Sequence, residues 1–321
     1  MSAEESLEEI FGEPAERRIG QYLITGTIGF GGMGGVYKAV DERTSEPVAI
    51  KILHSDLTLE PDVLERFRRE IRILSSVVHE NIVHIREYGE HDGLPFLVME
   101  YVSGVALSKL IERLKSVPGN ELCARHLLEA ARSDISSHTT HPASPRIRPE
   151  YNYEQAVSSI GVQLAEALAY LHSKGIIHRD IKPSNVMIRP DGVSVLMDMG
   201  VARAHGDSRI TGTGRIVGTW RYLAPEQLLD RRFQADEKTD LYQLGATLYE
   251  LLFLHGFYEG YNETELREAK AREDPCAPKV EGSAPSRVAQ IVLRCLLRDR
   301  ARRYDSAAQL AAELGLSLSA R

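Results

Sequence analysis

The stretch from Ile176 to Gly200 constrains the fold of this 321-residue chain more than any other part of the sequence. It reads IIHRDIKPSNVMIRPDGVSVLMDMG, in which short apolar runs of strand type are separated by a Pro-Asp-Gly turn. Ile176-Ile177 and Val186–Ile188 are two of these predicted strands. A buried hairpin would then carry four polar residues on a loop and just past a strand end, namely Asp180, Lys182, Asn185 and Asp198.

These four residue types match what phosphoryl transfer requires. One carboxylate must orient an acceptor hydroxyl and take its proton, and a lysine must neutralise charge that builds on the γ-phosphate. An amide and a second carboxylate must hold Mg²⁺. The spacing therefore predicts a phosphotransferase site in this stretch.

The same residues carry a family resemblance. His178-Arg179-Asp180 followed by Asn185, and then Asp198-Met199-Gly200, resembles the catalytic loop and the metal-binding turn of the eukaryotic-like (Hanks-type) protein kinases. Lys182, between Asp180 and Asn185, is typical of serine/threonine rather than tyrosine specificity, and IGFGGMGGVYKAV and GTWRYLAPEQ are similar to bacterial members.

The resemblance implies an α+β bilobal kinase fold. It predicts a small lobe with five antiparallel strands and one helix over 19–102, and a larger, mainly α-helical lobe over 103–318. Residues 1–18 would be a polar leader. The implied reaction transfers the γ-phosphate of ATP to protein Ser or Thr hydroxyls, with Mg²⁺ or alternatively Mn²⁺ as the metal.

A glycine-rich segment precedes an apolar strand that ends in lysine. Gly29, Gly31 and Gly34 form G-x-G-x-x-G, which alone equally suggests a dinucleotide site or a plain flexible hairpin. Residues after Val36 remain of β type, however, and a second strand ends at Lys51. This order favours a hairpin whose glycines let backbone N–H groups approach phosphates.

The resemblance assigns further nucleotide-binding roles. Helical periodicity over 61–76 places Glu70 on the inward side, as the partner that presents Lys51 to the α- and β-phosphates. Met99 stands at the gatekeeper position, and backbone groups of Glu100 and Val102 would bind adenine. The implied nucleotide-binding set is Ile28, Gly29, Gly31, Gly34, Val36, Ala49, Lys51, Met99, Glu100, Val102, Met187 and Asp198. The implied catalytic set is Asp180, Lys182, Asn185, Lys51 and Glu70, with Asn185 and Asp198 as metal ligands.

A Gly-, Thr- and Arg-rich segment after Gly200 resembles an activation segment that ends in Ala224-Pro225-Glu226. Thr211 and Thr213 are candidate sites of autophosphorylation, where Arg179 could pair with the phosphate. An ordinary polar-loop role is the alternative for either threonine.

Two charged residues in the predicted helical lobe have family counterparts. Asp240 begins a buried helix and would be costly there unless its carboxylate accepts backbone N–H groups, which the resemblance implies it does for the catalytic loop. The resemblance also implies that Arg303 pairs with Glu226.

Two features depart from the family. An insertion at 116–152 is longer than the usual connection, with a short helix predicted over 121–132 and loop elsewhere. Met199 replaces the usual phenylalanine, and a flexible methionine should still fill that position.

Composition restricts partners and location. A net charge of −7 argues against a general nucleic-acid binder. Three scattered cysteines indicate a reducing compartment, without a disulfide framework or zinc site. The acidic N-terminus is unlike a signal peptide, and no run approaches the about 18 apolar residues of a membrane span. We expect a cytoplasmic chain acting on protein substrates and self-associating for trans-autophosphorylation, although a longer parent chain could be anchored in a membrane.

Two other functions fit parts of the sequence. A pseudokinase scaffold or nucleotide-sensing module usually lacks Lys51, Asp180 or Asp198, all of which are present here. A small-molecule phosphotransferase usually lacks the Ala-Pro-Glu end of the activation segment and the bracing Asp240. Both motifs are present, so protein phosphorylation is the favoured interpretation.

Overall fold

The computed structural model describes residues 17–31, 34–53, 71–91, 93–132, 146–199, 219–230, 232–278 and 285–319. These residues belong to two compact units. The first contains the described residues up to Val78 together with Val83–Val102. The second contains His79–Ile82 and the described residues of Ser103–Gly200 and of Asp207–Arg321.

The first unit is built on an antiparallel sheet of six strands in the order β1-β2-β3-β4-β6-β5. Alternate side chains of these strands form an apolar core that includes Tyr37, Val48, Ile50 and Val98, all fully buried. The strands are β1 Arg18–Ile19, β2 Tyr22–Gly31, β3 Gly34–Asp41, β4 Glu46–Leu53, β5 Ile85–His91 and β6 Leu94–Glu100.

The prediction of five strands was wrong by one, because β1 was missed. Arg18 and Ile19 pair with Leu23 and Tyr22 across a two-residue turn, in which Gly20 has a φ of +55° that suits glycine. Ile19 is buried in the core. A strand of two residues is too short to show a period-2 pattern, so sequence patterning cannot detect it.

The helix predicted over 61–76 is described only in part. Residues 71–74 are helical, and Ile71 and Leu74 are buried. Glu70 lies outside the described residues.

The second unit is mainly α-helical. The longest helix among the described residues, Tyr153–Ser173, begins with a capping box between Asn152 and Gln155. The described helices are α1 Leu107–Leu114, α2 Ala124–Arg132, α3 Tyr153–Ser173, α4 Pro225–Leu229, α5 Glu237–Phe253, α6 Glu263–Arg272, α7 Arg287–Cys295 and α8 Ala307–Leu318.

A three-stranded sheet in this unit carries the predicted hairpin. β7 Val105–Ala106, β8 Val186–Ile188 and β9 Ser194–Leu196 are antiparallel neighbours, and the Pro-Asp-Gly turn joins β8 to β9. The predicted strand at Ile176-Ile177 was wrong. The backbone N–H groups that follow it bind the side chains of Asp240 and Gln243, so they are not available for a strand ladder.

The insertion contains the short helix α2, within the predicted range, and residues 133–145 lie outside the described part of the chain. Both flanks of those residues bind the hairpin turn. Arg132 Nε donates to the carbonyl of Pro190 at 3.4 Å, and the N–H of Arg146 donates to that of Asp191 at 2.9 Å. Ile147 is fully buried against Gly192, where a Cβ would lie 2.9 Å from the Ile147 nitrogen. The end of the insertion is therefore packed on the turn.

No helix among the residues that the structure describes is both long and apolar enough to cross a membrane.

Candidate active site

In the first unit, strand register places the predicted nucleotide-binding residues on one face of the sheet. Val36 pairs with Lys51, and Ala49 pairs with Met99. Directly paired residues share a face, as do residues two apart, so these four side chains lie opposite the apolar core. Ala49 and Met99 are buried, whereas Val36 and Lys51 are half-buried.

The glycine-rich segment forms the hairpin of β2 and β3, with Gly31 paired to Gly34 and residues 32–33 outside the described part. Gly34 has a φ of +141°, and a Cβ there would lie 1.7 Å from the carbonyl oxygen of Ile52. No other residue fits at this position. The register shifts between Thr27 and Gly29, and the intervening Ile28 is 51% exposed. Such a bulge increases the local twist of the strand.

Strand β6 ends at Glu100, in the segment for which the sequence predicts adenine binding. The N–H of Glu100 donates to the carbonyl of His84 at 3.0 Å, so this N–H is not available for adenine. Glu100 and Val102 are half-buried. The ion pair predicted for Lys51 stays a prediction, because Glu70 is not among the described residues.

In the second unit, the catalytic loop brings two predicted residues, Lys182 and Asn185, to the carboxylate of a third, Asp180. Asp180 Oδ2 accepts hydrogen bonds from Lys182 Nζ at 3.0 Å and from Asn185 Nδ2 at 2.9 Å. The side chains of Asp180 and Lys182 are 12% and 19% exposed. A carboxylate held by two donors but still reachable can orient a hydroxyl and accept its proton.

Met197, the residue before Asp198, is held through both its backbone N–H and its carbonyl. The N–H of Met197 donates to the Asn185 carbonyl at 2.8 Å, and His178 Nε2 contacts the Met197 carbonyl at 3.1 Å. Asp198 itself has a φ of +47°, a left-handed conformation that aspartate tolerates better than most residues. Met187, the other predicted nucleotide contact of this unit, lies half-buried in β8.

Asn185 and Asp198 suit the metal role that the sequence predicts. Asn185 Nδ2 donates to both the carbonyl and the carboxylate of Asp180, so its amide oxygen is the atom that can bind a cation. Amide and carboxylate oxygens are the ligands Mg²⁺ prefers, and it commonly takes only one or two protein ligands beside substrate phosphates. The described residues contain no group of three or more His, Cys, Asp or Glu that could hold a metal ion.

Asp240 braces the catalytic loop as predicted. Its fully buried carboxylate accepts the N–H groups of His178 and Arg179, both at 2.8 Å. His172 Nε2 lies 2.9 Å from the same carboxylate, a contact that the sequence analysis missed. Three donors around one buried carboxylate offset its desolvation.

Burial lowers the pKa of His178, although the nearby Asp240 and Asp180 carboxylates oppose this shift. The neutral ring matches its contacts, in which Nε2–H donates to the Met197 carbonyl and Nδ1 accepts the N–H of Asp180 at 3.4 Å. This histidine therefore links the catalytic loop to the segment that carries Asp198.

Gln243 is a further connecting residue that sequence reasoning missed. Its Oε1 accepts the N–H of Ile181 at 2.9 Å, and its Nε2 donates to the carbonyl of Arg179 at 3.2 Å and to Gln227 Oε1 at 3.3 Å. Gln227 Oε1 also accepts the N–H of Ala224 at 2.9 Å. The catalytic loop is thus hydrogen-bonded to the end of the activation segment.

The predicted pair of Arg303 and Glu226 is present. The buried guanidinium binds the carboxylate through two hydrogen bonds of 2.7 and 2.9 Å. Such a bidentate geometry is the strongest form of this ion pair. The phosphorylation candidates Thr211 and Thr213 lie outside the described residues.

The chain is similar to known protein kinases along most of its length. A protein kinase domain profile matches residues 22–313. The chain is 34% identical over 309 residues to a probable serine/threonine-protein kinase of Streptomyces coelicolor, SCO3848, covering 94% of this chain and 40% of that protein. It is 33% identical to PknB of Mycobacterium tuberculosis, covering 92% and 42%, and 33% identical to PrkC of Bacillus subtilis, covering 95% and 42%. Both relatives are named serine/threonine-protein kinases. The chain spans about two fifths of the length of these relatives.

Proposed function

Because this chain belongs to the protein kinase domain family, we propose that it transfers the γ-phosphate of ATP to serine and threonine hydroxyls of proteins. One observation carries the proposal: the Asp180 carboxylate is held by Lys182 and Asn185 within the braced catalytic loop. The names of the relatives support the same activity. A scaffold without catalysis would have no need of this arrangement.

In the proposed reaction, Asp180 orients the acceptor hydroxyl and accepts its proton as the bond from its oxygen to the γ-phosphorus forms. The bond between the γ-phosphorus and the oxygen that bridges it to the β-phosphate breaks, and ADP is the leaving group. Lys182 would remain close to that carboxylate and neutralise charge on the transferred phosphoryl group. Asn185 and Asp198 would hold a divalent metal, proposed to be Mg²⁺ with Mn²⁺ as the alternative, which when bound neutralises phosphate charge. Electrostatic stabilisation of this kind commonly supplies most of the rate enhancement.

The nucleotide-binding residues of the first unit complete the proposal. Lys51, with Glu70 as its proposed partner, would bind the α- and β-phosphates, and the glycine hairpin would supply backbone N–H groups. Backbone groups of Glu100 and Val102 would bind the adenine edge beside Met99. The shared sheet face of Val36, Ala49, Lys51 and Met99 supports this assignment.

The domain bounds, the mode of activation and the location of the protein are parts of the same proposal. We propose a kinase domain over 19–318 with lobes at 19–102 and 103–318, an insertion at 116–152 and a leader at 1–18. Trans-autophosphorylation at Thr211 and Thr213 would activate the enzyme. The free cysteines Cys123, Cys276 and Cys295 support a cytoplasmic site of action.

Mass spectrometry after incubation with Mg·ATP tests the proposal directly. The wild-type protein and Asp180→Asn, which keeps the shape of the carboxylate, would be compared by intact mass and by peptide mapping. We expect phosphate on the wild type, including Thr211 or Thr213, and none on Asp180→Asn. Equal phosphorylation of both proteins, or none on a wild type that binds ATP, would refute the activity.

A further inference from the structure

Lys270 is a buried cation in α6 that the kinase motifs do not account for. Its side chain is 1% exposed, yet its ammonium lies 2.7 Å from the carbonyl oxygen of Arg221, 2.5 Å from that of Leu223 and 3.3 Å from that of Trp220. A lysine ammonium has three N–H donors, so these three acceptors saturate it. All three carbonyls belong to the last stretch before Ala224-Pro225-Glu226.

Two aromatic rings complete the surroundings of this ammonium. Nζ lies 5.1 Å from the ring centre of Tyr242 and 5.6 Å from that of Phe257, distances at which a cation is attracted to a ring. Burial lowers the pKa of Lys270, and the Glu226 carboxylate opposes that shift. A neutral amine would direct its lone pair at one of the three carbonyls. The arrangement of acceptors and rings therefore suits the charged form.

The carbonyls converge because residues Thr219–Tyr222 form a 3₁₀ turn. The last carbonyls of such a turn have no partner inside it, and the Trp220 carbonyl accepts the N–H of Leu223 only at 3.3 Å. Lys270 supplies the donors that this turn lacks. Without the ammonium, the carbonyls of Trp220, Arg221 and Leu223 would each lose a hydrogen bond from Lys270.

A short chain of hydrogen bonds connects this turn to the catalytic loop. Ala224, which follows the turn, donates to Gln227 Oε1, and Gln243 links that oxygen to the carbonyl of Arg179. Arg179 directly precedes Asp180. A displacement of 220–223 would therefore shift the backbone next to Asp180, and with it the carboxylate that must receive the proton of the acceptor hydroxyl.

We propose that Lys270 is a positioning residue for the protein acceptor, fixing the backbone of 220–223 so that the acceptor hydroxyl meets Asp180. The inference rests on the proposed kinase function. The contacts described above for Lys270 include no residue that is proposed to bind phosphate. Loss of the ammonium should therefore impair transfer to protein more than ATP turnover with water as acceptor.

The test compares Lys270→Met, which keeps the side-chain length, with Lys270→Gln, which retains two donors. Arg272→Met is the matched control, because Arg272 is an exposed cation on the same helix. Steady-state kinetics would use myelin basic protein as the acceptor probe, beside ATP hydrolysis without protein. Acrylamide quenching of Trp220, the single tryptophan of the chain, reports the order of the turn.

We expect Lys270→Met to raise the KM for myelin basic protein by about tenfold, with hydrolysis changed less than about threefold. Lys270→Gln should be intermediate, and Trp220 should become more accessible in the same order. Arg272→Met should match the wild type. If Lys270→Met does not fold, Lys270→Gln decides the question alone.

An unchanged KM with normal Trp220 quenching, or an equal loss of hydrolysis and transfer, would overturn the role of Lys270 while the wild type still phosphorylates protein. A wild type that phosphorylates nothing would instead refute the kinase function itself. The two failures are therefore distinguishable.

Discussion

The Asp240 carboxylate holds Arg179 in a left-handed backbone conformation. The N–H of Arg179 lies 2.8 Å from Asp240 Oδ1, and its φ is +70°. This conformation costs a residue with a side chain about 1–2 kcal/mol, so it persists only where the surroundings impose it. Asp240 thus sets the backbone direction immediately before Asp180.

Asp240→Asn should destabilise the protein and slow phosphoryl transfer together. An amide has one oxygen, so its NH₂ group would face one of the backbone N–H groups that now bind the carboxylate. We expect a loss of about 3 kcal/mol in the free energy of unfolding, as for other broken buried charge networks. Urea unfolding and kcat measure the two effects. Glu268→Gln, the same change on an exposed part of α6, should alter neither, and a stable, fully active Asp240→Asn would contradict the bracing role.

Asp198→Asn should remove activity without a loss of stability. Asparagine tolerates the left-handed φ of this position and keeps an oxygen ligand, but it lacks the charge that holds a divalent metal. We expect kcat to fall at least about a hundredfold and the Mg²⁺ concentration for half-maximal activity to rise. Asp198→Ala should lose activity equally and also melt at lower temperature, because alanine tolerates this φ less well. Wild-type rates in either variant would show that Asp198 is not a metal ligand.

Gly34→Ala and Gly29→Ala form a matched pair in the glycine-rich hairpin. A Cβ at Gly34 would collide with the carbonyl of Ile52 at 1.7 Å, whereas a Cβ at Gly29 would meet no atom within 4 Å. We expect Gly34→Ala to cost at least about 1–3 kcal/mol, and Gly29→Ala to leave unfolding within about 1 kcal/mol of the wild type. Thermal melting separates the variants. Equal melting temperatures would mean that the hairpin can rearrange around the added methyl group.

The stability of the protein should fall as pH decreases below about 6.5, the ordinary pKa of histidine. Burial lowers the pKa of His178, so the folded protein binds fewer protons than the unfolded chain in this range. Burial also lowers the pKa of His79, which adds a background in the same direction. Urea midpoints between pH 7.5 and 5.5 would be compared for the wild type and His178→Phe. The variant should be less stable at pH 7.5 but lose less stability on acidification, and parallel curves would exclude His178 as a source of the slope.

Local spacing predicts much of the catalytic loop because Asp180, Lys182 and Asn185 lie within six residues of one another. Residues so close in sequence can meet only in a few ways, and the hairpin that supports them consists of short apolar runs joined by a Pro-Asp-Gly turn. The bounds of the helix Tyr153–Ser173 were predictable for a similar reason, since its apolar periodicity extends over its length and polar residues cap its start.

Long-range polar contacts could not be predicted in this way. Gln243 contacts residues 16 to 64 positions away, and Lys270 contacts carbonyls 47 to 50 positions away. On α6, Lys270 is one of several charged residues in a helix of mostly polar composition, and no periodicity distinguishes it from an exposed lysine. Asn81, whose amide binds the Ser194 carbonyl at 2.8 Å, is likewise unremarkable in sequence. Only the fold brings such partners together.

The two flanks of residues 133–145 end on neighbouring carbonyls of a single turn, those of Pro190 and Asp191. Both ends of any segment inserted here are held by adjacent residues. The entropy lost on closing such a segment is therefore nearly independent of its sequence and depends only weakly on its length. This position is therefore a natural graft site, where a foreign peptide or reporter domain could replace 133–145. The donor segment should be joined before Arg146, since Ile147 fills space in the core beside Gly192 and belongs to the scaffold rather than to the exchangeable part.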